Sequence, residues 1–180
     1  MSRPRRTNPF DIVLGLRLLE PAGTLGSLAE ELGVVPSQIH AALGRLAAAA
    51  LLKPESRATN ARALGEFLLF GVRYAFPAAR GELALGVPTA YSALPLSATV
   101  DAVDVLVWPA ARAPDPVRGF SITPLYSGAP GLRESSPPTY RLLTLVDALR
   151  IGDPRVRNTA REALEIALEI ALGWRAAAAS

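Results

Sequence analysis

Residues 24–52 read TLGSLAEELGVVPSQIHAALGRLAAAALL, and apolar side chains recur at helical spacing on both sides of a central glycine. This pattern predicts two helices joined by a short turn. Thr24 suits the start of the first helix, Gly33 suits the left-handed position at its end, and Ser37 is predicted to cap the second helix. Two helices arranged in this way can place the start of the second helix in the major groove of DNA.

The second predicted helix buries one apolar face and leaves a strip of other side chains exposed. Glutamine can bond adenine through two hydrogen bonds, arginine can bond guanine, and alanine can contact the methyl group of thymine. Serine and histidine can donate to phosphates or base edges. The candidate DNA-binding residues on this strip are Ser37, Gln38, His40, Ala41 and Arg45. Two alternatives stay open at this point: a helical pair that is plain core, and a module that binds another protein.

Residues 1–8, MSRPRRTN, are predicted to form a basic flexible arm. Arg3, Arg5 and Arg6 are its charged side chains, and no acidic residue accompanies them. Arginine arms of this kind lie in the minor groove of DNA, where the negative potential is enhanced. The three arginines are therefore candidate DNA contacts, and a merely solvated terminus is the alternative.

The pattern of the whole chain predicts an α+β fold that is mainly helical. Residues 9–76 are assigned to a helix-turn-helix DNA-binding domain, which ends in an apolar helix over 61–76 that is expected to pack on two sides. Residues 77–180 are assigned to a C-terminal α/β domain for dimerisation or partner binding. Within it, VDVLVW at 103–108 and RGFSITPLY at 118–126 are predicted to form an antiparallel β-hairpin, and two helices follow.

The composition limits the remaining classes of function. The chain has 180 residues, a net charge of +3 and no cysteine, which excludes disulfides and thiolate zinc sites and favours a cytoplasmic protein. Its apolar runs are too short to span a bilayer, so no membrane contact is expected. His40 is the only histidine, and no glycine-rich phosphate loop or nucleophile elbow is present. We therefore predict neither an enzyme nor a cofactor or metal site.

The segment LAEELGVVPSQIHAALGRL at 28–46, followed by AAAALL, resembles the winged-helix DNA-binding domains of bacterial transcriptional regulators, especially the MarR-like group. The resemblance covers about residues 10–60 and implies a DNA-binding regulator, often dimeric, with the exposed strip at the recognition positions. Two departures are present. Ala50 stands where that group usually has glycine, and residues 53–60 leave room only for a reduced wing, with Arg57 as its candidate DNA contact.

These observations lead to one expected function and one alternative. The expected function is that of a sequence-specific DNA-binding transcriptional regulator, a repressor that binds double-stranded DNA as a homodimer. The C-terminal part has a weaker similarity to small antitoxins and repressors. The alternative is therefore an antitoxin or adaptor whose C-terminal half binds a partner protein such as a cognate toxin.

Overall fold

A computed structural model describes residues 6–178 of the chain, with the side chains of residues 6–169. The fold is α+β and mainly helical, which confirms the predicted fold class. The helices of this part of the chain are α1 (Pro9–Arg17), α2 (Leu25–Glu31), α3 (Pro36–Ala48), α4 (Ala61–Phe70), α5 (Val72–Ala75), α6 (Leu132–Ser135), α7 (Pro137–Ile151) and α8 (Pro154–Ala178). The strands are β1 (Arg80–Pro88), β2 (Leu106–Pro109) and β3 (Val117–Ile122). Between residues 6 and 178, no helix is both long and apolar enough to cross a membrane.

The first helices begin at short polar side chains that satisfy free backbone N–H groups. The Thr24 hydroxyl accepts from the Ser27 N–H at 3.1 Å, which confirms Thr24 as the cap of α2. Ser37, in contrast, is not the cap of α3. That helix begins one residue after Val35, because Pro36 takes the first helical position, where no N–H is required.

Helices α2 and α3 end in the same hydrogen-bonded motif. After α2, Gly33 has φ +63°, and the Gly33 and Val34 N–H groups donate to the carbonyls of Glu30 and Ala29. This confirms Gly33 as the left-handed residue at the helix end. After α3, Ala50 takes the same place with φ +57°, and its N–H donates to Ala47. An alanine therefore occupies a conformation that glycine adopts without strain.

The apolar helix predicted over 61–76 is divided into α4 and α5. Asn60 caps α4 through a 3.3 Å bond from the Ala63 N–H, as its position in the sequence suggests. The division falls at Gly71, where an added Cβ would lie 3.0 Å from the Phe67 carbonyl oxygen. A residue with a side chain would therefore crowd the backbone at this bend.

The three strands pair differently from the prediction. β1 pairs antiparallel with both β2 and β3, with Gly86 opposite Pro109 on one side and Val117 on the other. β2 and β3 therefore run in the same direction and pair in parallel at Leu106 and Phe120. The predicted antiparallel hairpin between these two strands is wrong, because β1 supplies the antiparallel partner of each. Gly86 permits this closure, since a Cβ there would collide with the Trp108 carbonyl oxygen.

One hydrophobic core runs through both of the predicted domains. Helix α1 packs against α7, and α4 packs against α8. At Gly65 the contact between α4 and α8 is so close that an added Cβ would lie 2.9 Å from Leu168 Cδ1. The sequence pattern changes at the predicted boundary near residue 76, but the hydrophobic core continues across it.

A buried carboxylate fastens the strands to α7. Asp147 is completely buried, and its Oδ2 accepts from Trp108 Nε1 at 2.6 Å and from the Thr89 hydroxyl at 2.9 Å. Its Oδ1 accepts from Arg150, whose Nε donates to the Phe76 carbonyl at 2.7 Å. This network joins β2, α7 and the end of α5, so the C-terminal elements hold a fixed position behind the N-terminal helices.

Candidate nucleic-acid interface

The start of α3 presents its predicted strip to solvent. Helices α1 and α2 pack on the opposite side, where Ile39, Ala42 and Leu46 are fully buried. Ser37, Gln38 and His40 are exposed in the first two turns, and Ala41 beside them is half-buried. The following positions on the outer side, including Gly44, carry little or no side chain, so a flat partner can approach the helix backbone closely.

Gln38 has a structural role that limits how its amide can point. Its Oε1 accepts from the Val35 N–H at 3.3 Å and so satisfies a free donor at the start of α3. The Nε2 group of the same amide is left to donate. Because its Oε1 is occupied, Gln38 offers a binding partner only the Nε2 hydrogen-bond donor and not the donor and acceptor together.

Arg45 does not lie on the exposed strip, which corrects the prediction. Its Nε and Nη2 donate to the Asp11 carboxylate at 2.8 and 2.6 Å, and Asp11 is completely buried. Asp11 also accepts from the Asn8 N–H at the start of α1. The hydrogen bonds that Arg45 donates to Asp11 raise the pKa of Arg45 above its ordinary value. The guanidinium therefore joins α1 to α3. If it moved to a DNA base, the buried Asp11 carboxylate would be left without a counterion.

The segment after α3 folds back as a small loop, residues 52–59, which we call the 52–59 loop. Leu52 and Thr59 form a β-bridge, and the Lys53 N–H donates to the Ala58 carbonyl at 2.8 Å. The Thr59 hydroxyl donates to the Gly15 carbonyl of α1 at 2.7 Å. The loop is thus short but anchored, and Arg57, the candidate DNA contact of the predicted reduced wing, is exposed on it.

Lys53 is a further exposed cation of this loop that sequence reasoning did not select. Lys53 and Arg57 both line an open cleft of about 560 Å³ between the loop and the end of α3. Neither side chain takes part in an ion pair within the described residues. The only signal in the sequence was that Lys53 is the single lysine of the chain.

The charge of residues 9–76 is balanced. This segment contains six basic and six acidic residues. The basic ones are Arg17, Arg45, Lys53, Arg57, Arg62 and Arg73, and the acidic ones are Asp11, Glu20, Glu30, Glu31, Glu55 and Glu66. The excess of +3 therefore comes from the three arginines of the arm. Arg6 is exposed, and Arg3 and Arg5 lie outside the described residues. Attraction to a polyanion must come from the arm and from the unpaired cations of the 52–59 loop.

A second ion pair fixes α2, which braces α3. Arg17 Nε and Nη2 donate to the Glu31 carboxylate at 2.7 and 2.9 Å. Burial raises the pKa of Glu31, but hydrogen bonds from Arg17 and Ser136 and the Arg17 charge outweigh it and hold that pKa below its ordinary value. The Ser135 hydroxyl also donates to the Glu31 carbonyl. The end of α2 is thus held by α1 on one side and by the segment before α7 on the other.

No protein-family model, curated protein or solved structure matches this chain. Among the described residues, no three histidine, aspartate or glutamate side chains are grouped as metal ligands.

Proposed function

We propose that the chain is a sequence-specific DNA-binding transcriptional regulator, a winged-helix repressor similar to the MarR-like group that acts in the cytoplasm as a homodimer. One observation carries this proposal. Ser37, Gln38 and His40 project from the start of a helix that is braced by two others, beside an anchored loop that presents Lys53 and Arg57. A helix start of this kind fits the major groove, and a cationic loop next to it fits the flanking phosphates.

The contacts divide into those that position the protein and those that select a sequence. Lys53, Arg57 and the arginines of the arm supply charge toward phosphates and the minor groove. Gln38 Nε2 can donate to an acceptor on a base edge, and His40 can donate to a base or a phosphate. Because Arg45 is held in an ion pair with Asp11, the recognition helix of one chain can contact few base pairs. Selective binding of one DNA sequence therefore needs a second copy of the protein.

A two-fold dimer supplies that second copy and doubles the number of bases read. Two exposed aromatic side chains beside α8 form an aromatic patch that fits this role: Phe70 on α4 is 63% exposed and Tyr74 on α5 is 73% exposed. Helices α4 and α8 run antiparallel here, since Gly65 lies against Leu168 and Phe70 lies beneath Arg161.

The charges along α8 make the patch self-complementary. Arg155, Arg157 and Arg161 lie in its first eight residues, and Glu162, Glu165 and Glu169 lie in the next eight. When two copies of α8 cross antiparallel about a two-fold axis near residues 161 and 162, the basic segment 154–161 of one meets the acidic segment 162–169 of the other. Charge complementarity therefore favours a second copy of this chain as the partner of the aromatic patch.

The proposal is tested by binding of the purified protein to a fluorescent duplex from the region upstream of its own coding sequence. Gln38→Ala and His40→Ala are each expected to weaken binding about tenfold or more, since one good base contact is worth about 1–3 kcal/mol. Ser97→Ala, an exposed polar residue far from α3, is the matched control and should bind as the native protein does. Unchanged affinity in the Gln38 and His40 variants would show that α3 does not contact DNA.

The second candidate function is an antitoxin or adaptor that binds another protein. Exposed aliphatic side chains on and directly beside the strands favour it: Leu83, Leu85, Val105 and Val117. The balanced charge of residues 9–76 also suits a protein partner. In the same experiment, no affinity for any duplex at low salt, together with co-purification of the product of a neighbouring gene, would select this candidate over the first.

A further inference from the structure

We propose that the groove between the end of α1, α7 and α8 binds a small amphipathic carboxylate, with its apolar body in the groove and its carboxylate at Arg141. As an effector of DNA binding, this ligand rests on the proposed function. The binding itself does not, and it is tested on the protein alone.

The groove has the size and lining of a small-molecule site. Its volume is about 610 Å³, within the range of roughly 300–1,000 Å³ found for such sites. The walls are apolar and come from distant parts of the chain: Leu94 and Pro95 from the segment after β1, Leu142 and Leu145 from α7, and Ala163 and Ala167 from α8. The two alanines lie about one turn apart on α8, and their small side chains leave the space open.

The charges in the groove select an anion. Among the residues whose side chains are described, the charged ones that line it are Glu20 and Arg141. Glu20 has a counterion, because its carboxylate lies 4.0 Å from Arg17 Nη1. Arg141 is exposed, and its guanidinium has no ion-pair or hydrogen-bond partner among the described residues. The described lining of the groove therefore presents one uncompensated positive charge at an apolar surface, which a carboxylate on an apolar body complements.

The groove also borders the residues that hold α2, the helix that packs against the proposed recognition helix α3. Leu19 and Glu20 lie two and three residues after the end of α1, and Arg17 contacts both Glu20 and the Glu31 carboxylate of α2. A ligand that displaces Glu20 therefore acts on the ion pair that holds α2 to α1. If it changes the affinity for DNA by some factor, DNA changes the affinity for the ligand by the same factor.

Octanoate and octanol are suitable probes because they share the apolar chain and differ in the charge. Isothermal titration of the DNA-free protein is expected to show octanoate binding about tenfold more tightly than octanol, the effect of one exposed charge-assisted hydrogen bond. Arg141→Gln should remove this preference, and Arg133→Gln, an exposed arginine of α6, should keep it. Ala98→Trp, at an exposed position that lines the groove, should weaken both ligands.

The matched control for the groove is Ala111→Trp, an exposed alanine outside it, which should bind both ligands as the native protein does. Equal affinity of the native protein for octanoate and octanol would overturn the role of Arg141. Unchanged affinity in Ala98→Trp, or no binding of octanoate to the native protein, would overturn the groove as the site. Since DNA is absent from these titrations, a failure of DNA binding would not affect their result.

Discussion

Arg45 illustrates how a buried acid can engage an arginine that the helical pattern places outside. Asp11 has no access to solvent, and a carboxylate in that position needs a counterion and hydrogen bonds. The Arg45 side chain supplies both from 34 positions further along the chain. Periodicity within α3 assigns residues to faces of one helix, so it cannot find a partner that lies on another. The exposure of Ser37, Gln38 and His40 depends on that periodicity alone, and it was predictable.

Replacement of Arg45 by alanine is therefore expected to affect folding. The free energy of unfolding should fall by about 3 kcal/mol, because Asp11 would stay buried without its counterion. Chemical denaturation measures this loss. Arg62→Ala removes an arginine that is 88% exposed in its pair with Glu66, and it should change stability by no more than about 0.5 kcal/mol. Native stability combined with lost DNA affinity in the Arg45 variant would restore this residue as a base reader.

Among the elements, helices were predictable and strand pairing was not. A helix is specified by neighbours in sequence, such as Thr24 and Asn60 at helix starts and Gly33 at an end, and each of these takes its expected role. The pairing of β2 with β3 depends on β1, which comes earlier in the chain and pairs with both. Sequence adjacency favoured a hairpin, and the non-local partner determined the actual direction.

The left-handed residue after α3 gives a prediction about helix termination. Ala50→Gly should stabilise the protein by about 0.5–1 kcal/mol, since alanine at positive φ costs about 1–2 kcal/mol and glycine loses part of this gain through the freedom of the unfolded chain. Thermal or chemical denaturation measures the change. Ala47→Gly, in the helical part of α3, is the control and should destabilise by about 0.5–1 kcal/mol. A loss of stability in Ala50→Gly would mean that this residue is not left-handed in solution.

At the scale of the whole molecule, the aromatic patch predicts how copies associate. Phe70→Glu should raise the dimer dissociation constant by about 30-fold or more, because a buried aromatic anchor typically contributes at least about 2 kcal/mol to an interface. Sedimentation velocity over a range of concentrations measures this constant. Leu83→Glu, which replaces an exposed apolar residue on β1, should leave it unchanged. A native protein that stays monomeric at high concentration would contradict the proposed dimer.

How the two predicted domains pack against each other could not be predicted from the sequence. The apolar character of residues 61–76 indicated a helix packed on two sides, but not which later element it meets. That element is α8, about 100 residues further along, and it approaches Gly65 so closely that only glycine fits without a shift. Contacts at such separations depend on the assembled fold and leave no local pattern.

The continuous core has a consequence for how the chain unfolds. Leu64 and Leu68 of α4 belong to the same buried cluster as Leu164 of α8. If either the N-terminal or the C-terminal part unfolded, the other part would expose its apolar surface to water. Helix α3 then shares one cooperative transition with the C-terminal helices. Its lifetime in the folded state is set by the whole chain, and after a cut near residue 77 neither fragment would keep its structure once the two separate.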